Sequence, residues 1–274
     1  LSLIEVEYEV LKPVLNPADA MKEGAPILHE RLVQRSSAAA GQGGWAEDGK
    51  GDGTNVANRY EIRLGDIDKG FNEADVIVER DFHTKRVHQG YIEPHATTVM
   101  WGTDDYVTIW TSTQQLFGSR DSASRLLNLP TSRVKVIPME IGGGFGGKGQ
   151  ANYLDPVAAI LSKKTGKPVK IVMSRIEVFT STGPTSGGDM VVKIGATKDG
   201  YITAAEAHLM YEAGAFPGSS VGGGARCMFA QYNIANGYIE CFDVLANTPK
   251  VAAYRAPGAP MAAFAVEQVL DEIC

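Results

Sequence analysis

The stretch Ile141-Gly142-Gly143-Gly144-Phe145-Gly146-Gly147-Lys148-Gly149-Gln150 packs six glycines, one aromatic ring and one lysine into ten residues. Glycine lets the backbone take positive φ and removes the Cβ that would hold a ligand away. A loop of this composition suits backbone N–H groups that converge on an anionic or oxo-bearing ligand. Phe145 in its middle is foreign to a plain phosphate cradle and points to a flat or hydrophobic substrate beside that ligand. Three readings are open from the loop alone. Gly142, Gly147 and Lys148 have the spacing of a P-loop, but Gly149 stands where a magnesium-holding Ser or Thr is needed. Gly142, Gly144 and Gly147 fit the dinucleotide fingerprint, yet Glu177 comes too late for the acidic residue expected roughly 20 positions on. The third reading is a flexible turn without a ligand.

Other segments carry groups that a site could use. Gln114 closes the run Thr111-Ser112-Thr113-Gln114, and an amide at a strand end offers both a donor and an acceptor. Glu93 lies before Pro94 in the apolar setting Tyr91-Ile92-Glu93-Pro94-His95, where it is expected to satisfy nearby backbone N–H groups. Tyr254-Arg255-Ala256-Pro257-Gly258-Ala259-Pro260 is a rigid turn into a helix that can present Arg255 and backbone amides, or simply start the helix. Arg175 and Glu177 read as a surface ion pair.

The elements that must position these groups follow from pattern. Asn16 caps a short helix that Pro17 opens and Gly24 ends. Residues 36–55 are small, polar and glycine-rich, an exposed loop. Ile4–Tyr8, Val76–Phe82, Tyr106–Thr111, Val134–Ile137 and Val169–Met173 read as strands. Met190–Ala196 and Tyr201–Tyr211 flank the turn signal Asp199-Gly200 as a hairpin. Ser119–Leu129, Tyr153–Lys164 and a final segment through Phe264, Val269 and Ile273 have helical spacing. Strands and helices mix without strict alternation, which gives an α+β class of mixed sheets with packed helices. Residues 1–30 read as an entry segment and 31–274 as one domain.

The 274 residues, 44% hydrophobic and 21% charged, suffice for a folded core. A net charge of −6 argues against nucleic-acid binding. No apolar run is long enough to span a membrane. Cys227, Cys241 and Cys274 have neither CxxC nor iron–sulfur spacing and read as free thiols of a reducing, cytoplasmic compartment. His83, His88 and His95 lie close in sequence without a zinc pattern, so no protein-held metal is expected.

Taken in order, Tyr91–His95, Thr111–Gln114, Ile141–Lys148 and Tyr254–Pro260 resemble the molybdopterin-binding subunit of the aldehyde oxidase and xanthine dehydrogenase family. The opening Val6–Leu11 is similar to that family's entry into its first molybdenum-binding domain. The resemblance covers nearly the whole chain and displaces both nucleotide readings. It implies hydroxylation of an aldehyde or N-heterocycle with water as the oxygen source. It also implies a molybdopterin-type cofactor, in the plain or the cytosine dinucleotide form, with molybdenum held only through the pterin dithiolene. Partner subunits or domains carrying [2Fe-2S] clusters and FAD would remove the electrons.

Residue by residue, Gln114 matches the glutamine whose amide approaches an oxo ligand of the metal. Gly144, Phe145 and Gly146 match the loop beside it, with the phenyl ring on the substrate and the Gly146 N–H toward the cofactor. Arg255 and Ala256 match the second cofactor loop. Phe145, Gly149 and Pro257 occupy substrate-reading positions. Gly149 replaces the glutamate of purine-hydroxylating members, Pro257 replaces an aromatic wall, and Met261 stands where many relatives have glutamine. The family's catalytic base is a glutamate in the second molybdenum-binding half, and no residue here matches it. The chain is therefore expected to be a fragment or split subunit, inactive alone. A non-catalytic relative that keeps only the fold is the alternative.

Overall fold

The computed structural model describes residues 4–36, 44–150 and 152–274. The short helix α1 (Pro17–Ala20) starts where the Asn16 side chain accepts the Ala18 N–H. Strands β1 (Leu32–Val33) and β2 (Gly44–Trp45) pair antiparallel. Strand β3 (Val56–Leu64) leads to α2 (Ile67–Asn72), which Asp66 caps, and then to β4 (Val76–Thr84). Strands β5 (Ala96–Trp101) and β6 (Val107–Thr111) form a hairpin with alternating burial. Helix α3 (Leu116–Leu127) and strand β7 (Val134–Pro138) lead to the glycine loop, beyond which come α4 (Leu154–Thr165) and β8 (Val169–Val172). Helix α5 (Arg175–Ser181) precedes β9 (Gly188–Ala196) and β10 (Ile202–Gly214). Helix α6 (Val221–Cys227), β11 (Gly237–Leu245) and α7 (Ala259–Ile273) complete the chain order.

Two mixed sheets organise these elements. The larger has the order β3-β11-β10-β9-β4, parallel only between β10 and β11. Its inward residues Met190, Val192, Ile194, Leu209 and Tyr211 pack against Val221 and Ala225 of α6 and Ala262, Val266 and Val269 of α7. The smaller has the order β7-β6-β5-β8, parallel only between β6 and β7. Val99 and Ile109 pack there against Ala123 of α3 and Ala158 and Ala159 of α4. Small residues on those helices let them approach the sheet closely. Because β6 and β7 run parallel, their ends lie side by side, and that brings Gln114 next to the glycine loop.

The α+β class with mixed sheets stands, but four local expectations are corrected. Ile4–Tyr8 is exposed and forms no strand. Its alternation finds no partner strand among the described residues, and an unpaired strand leaves its backbone groups to water. The 36–55 segment is not simply an exposed loop. Gly44–Trp45 joins β1, and Asn55 is buried with its amide tied to Leu28, Ala20 and Pro26; residues 37–43 of that segment lie outside the described residues. Helix α1 ends at Ala20 with Met21 at its C-cap rather than at Gly24, and α3 ends at Asn128, whose φ of 52° is an αL cap that Asn tolerates. Arg175 and Glu177 do not pair. Glu177 closes a capping box with Ser174, and Arg175 donates to the carbonyls of Tyr91 and Ile92. The Ser-x-x-Glu spacing of that box was a readable signal.

Candidate functional site

Three segments distant in sequence meet at the end of the smaller sheet. The Gln114 N–H donates to the Lys148 carbonyl at 2.9 Å. Its Oε1 accepts the N–H of Gly146 at 2.9 Å and that of Lys148 at 3.2 Å. Two N–H donors can converge only on an oxygen, so the loop itself fixes the amide orientation. Gln114 Nε2 has no partner among the described residues and belongs to an exposed side chain. The second loop joins through the Arg255 N–H, which donates to the Phe145 carbonyl at 2.9 Å.

Glycine is required where the two loops touch. A Cβ on Gly146, at φ 103°, would lie 2.7 Å from the Ala253 carbonyl oxygen. A Cβ on buried Gly144 would meet Gln114 Oε1 at 2.6 Å. Non-glycine residues at positive φ mark the same place. Phe145 at 50°, Arg255 at 25° and Ala256 at 57° are three of the five such residues described. Each costs on the order of 1–3 kcal/mol and persists only where its surroundings over-determine it, a pattern that gathers at ligand sites. Phe145, Arg255, Ala256 and Pro257 are exposed, and Gly149 is half-buried with its N–H on the Gly146 carbonyl. Met261 is buried in the core of the larger sheet, beside Gly188.

The platform under both loops is the segment 89–95. Tyr91 lies against Gly143 with its Cβ and against Gly147 with its ring, and its hydroxyl contacts His95 Nε2 at 2.7 Å and Thr182 at 3.2 Å. Burial, reinforced by the Lys148 charge, pushes His95 down to about 4, so it is neutral at pH 7. Gln89 donates to the carbonyls of Ala253 and Gly183 at 2.8 and 3.1 Å, tying the second loop down. Glu93 takes the Gly142 N–H at 2.8 Å, the backbone role expected of it, and takes Lys148 Nζ as well. Burial pushes the Glu93 carboxyl up. Hydrogen bonds from Lys148, Ser112 and the Gly142 N–H outweigh that, and it ends below the usual carboxylate range.

The structure therefore brings Gln114, Phe145 and Arg255 together and changes the picture of two neighbours. The Gly146 N–H is taken by Gln114 rather than pointing outward. The Lys148 side chain is fully buried, so it is no phosphate-reaching lysine. Gln89 and Tyr91 escaped sequence reasoning; only Glu93 was singled out of the Tyr91–His95 motif. His83 bonds Asp189, His88 and His95 are linked through Thr182 and the Tyr91 hydroxyl, and no metal-holding cluster occurs among the described residues. All three cysteines are free. No helix of the described residues is long and apolar enough to cross a membrane.

Known proteins resemble this chain along its whole length. The chain is 33% identical over 292 residues to the probable hypoxanthine oxidase XdhD of Escherichia coli O157:H7, covering 100% of this chain and 30% of that protein. It is 30% identical to the nicotinate dehydrogenase large molybdopterin subunit of Eubacterium barkeri, again over 100% of this chain and 60% of that subunit. In structure it is similar to quinoline 2-oxidoreductase of Pseudomonas putida 86, with a TM-score of 0.87 at 22% identity, over 99% of this chain and 33% of that one. The chain thus spans between about a third and three fifths of these relatives. Residues 50–274 match the family model described as the molybdopterin cofactor-binding domain, and the chain belongs to the molybdopterin-binding family of the molybdenum hydroxylases.

Proposed function

We propose that this chain is the first molybdopterin-binding domain, residues 31–274, of a cytoplasmic hydroxylase that oxidises an aldehyde or N-heterocycle with water as the oxygen source. The observation that carries the reading is the convergence of Gln114, Phe145 and Arg255 through direct hydrogen bonds between loops far apart in sequence. The residues fit the cofactor. An outward amide N–H₂ on Gln114, the guanidinium of Arg255 and the exposed backbone at Ala256 form a donor set for an anionic, oxo-bearing group. Gly144 and Gly146 contribute by admitting Gln114 and the second loop. The cofactor, in its plain or cytosine dinucleotide form, supplies the two-electron oxidation when bound, and [2Fe-2S] and FAD partners pass the electrons on. The protein's share is orientation. Phe145 offers an exposed apolar face to a flat substrate, and Gly149 and Pro257 are the other positions that read it.

Substrate choice follows from what those positions lack. Gly149 offers no carboxylate to a purine edge, and the loss of such a polar contact weakens discrimination strongly. Pro257 removes ring stacking of about 0.5–1.5 kcal/mol. The relatives above are named for hypoxanthine, nicotinate and quinoline, all N-heterocycles. The purified 274-residue chain is expected to show no substrate-dependent dye reduction, since no residue in it matches the family's base. The assembled enzyme is expected to carry molybdenum and to oxidise at least one N-heterocycle or aldehyde faster than xanthine. A panel of xanthine, hypoxanthine, nicotinate, quinoline and aldehydes, read with metal content, tests both statements. Molybdenum-free assembled protein would overturn the cofactor reading, and a preference for xanthine over all others would overturn the substrate reading.

A further inference from the structure

The lysine of the glycine loop is neither a surface charge nor a ligand-facing one. Its side chain is 0% exposed, and its Nζ donates to Glu93 Oε2 at 2.5 Å and Ser112 Oγ at 2.8 Å. The same Glu93 oxygen accepts the Gly142 N–H at 2.8 Å and the Ser112 hydroxyl at 2.8 Å. One carboxylate oxygen therefore holds both ends of the loop, at residues 142 and 148. The Lys148 ammonium also lies over the Tyr91 ring, 5.1 Å from its centroid. Lys148 holds Gln114 through its main chain as well: its N–H donates to Gln114 Oε1, and its carbonyl accepts the Gln114 N–H. A displacement of Lys148 is thus transmitted directly to the Gln114 amide.

We propose that Glu93 and Lys148 are positioning residues whose ion pair, with a buried ammonium and a half-buried carboxylate, closes the glycine loop into a fixed ring and so aims the Gln114 amide at the bound cofactor. The role in aiming rests on the reading of Gln114 as a cofactor contact; the closing of the loop does not. Removing Glu93 alone strands a fully buried ammonium and is more disruptive than removing both charges, whereas Lys148→Met leaves a carboxylate that water still reaches. Glu93→Gln leaves the Lys148 charge unpaired. Glu93→Gln combined with Lys148→Met leaves a neutral pair, in which the amide oxygen introduced at position 93 can still accept the Gly142 N–H.

The test is made in the assembled, cofactor-containing enzyme, with three readouts. These are backbone hydrogen exchange of peptides covering 141–150, molybdenum per protein, and the Mo(V) electron paramagnetic resonance signal of the molecules that retain metal. Lys148→Met and Glu93→Gln are each expected to raise exchange across 141–150 by at least about tenfold, lower molybdenum content and shift the resonance. The double variant is expected to recover part of all three. Ser112→Ala removes a bond to each partner without stranding a charge and is expected to give a smaller change of the same sign. It decides the matter should the single charge variants fail to fold. Unchanged exchange in Lys148→Met, or in a folded Ser112→Ala with Lys148→Met unfolded, would overturn the loop-closing role. Raised exchange with an unshifted resonance, in these variants and in Gln114→Glu alike, would leave the clamp standing and overturn Gln114 as a cofactor contact.

Discussion

Gln114→Glu is expected to lower turnover of the assembled hydroxylase about 10²-fold while leaving thermal stability within about 0.5 kcal/mol of the parent. A glutamate keeps an oxygen for the N–H groups of Gly146 and Lys148, so the internal bonds at 2.9 and 3.2 Å survive. A charged acceptor binds such donors at least as well as a neutral one. What changes is the other terminal atom. The outward amide N–H₂ becomes an acceptor oxygen with negative charge, which repels the anionic group that the amide is proposed to contact. Removing one preorganised donor from a reaction centre typically costs 10²- to 10³-fold, about 2.7–4 kcal/mol. Steady-state kinetics on the variant, beside its melting curve, check the two halves separately. Turnover within a factor of three of the parent would show that the amide donor is not used. A collapse of stability would show that the loop reads the amide as something other than an acceptor.

The second large effect is structural. Gly146→Ala is expected to destabilise the protein by roughly 2–3 kcal/mol and to separate the two loops. An alanine there must adopt φ 103° and would place its Cβ 2.7 Å from the Ala253 carbonyl oxygen, which is backbone and cannot swing aside. Relief requires the second loop to move, and that breaks the bond from the Arg255 N–H to the Phe145 carbonyl. Gly200→Ala is the control. Gly200 has φ 85° but nothing within 4 Å of its built Cβ, so it reports backbone strain without a clash. Thermal unfolding of both variants separates the contributions, with Gly146→Ala melting several degrees lower than Gly200→Ala. Equal melting points would mean that the two loops are not pressed together, and the proposed convergence of Gln114, Phe145 and Arg255 would lose its main support.

The amino-acid sequence determined much of this protein by itself. Six glycines around Phe145, the glutamine after Thr113 and the rigid turn at Arg255 carried, through their order, the family resemblance that the match over residues 50–274 bears out. Asn16 as a cap and Asp199-Gly200 as a hairpin were also legible, because each is a local signal that needs no distant partner. Strands β3, β5 and β11 passed unread, since they are defined by pairing across the sheet rather than by their own pattern.

Tertiary structure decided which way the groups face. Lys148 reads as a ligand-seeking cation until Glu93, 55 residues away, is seen to hold it inside. Gln114 offers both a donor and an acceptor until Gly146, 32 residues on, takes the acceptor and leaves only the donor outward. Gln89 gives no sign of function until Ala253, 164 residues later, accepts its amide. A side chain's chemistry belongs to its type, but its direction belongs to its partners. In this fold those partners lie on other loops: the parallel pairing of β6 and β7 sets Gln114 beside the glycine loop, while Glu93 and Ala253 come from segments outside that pair.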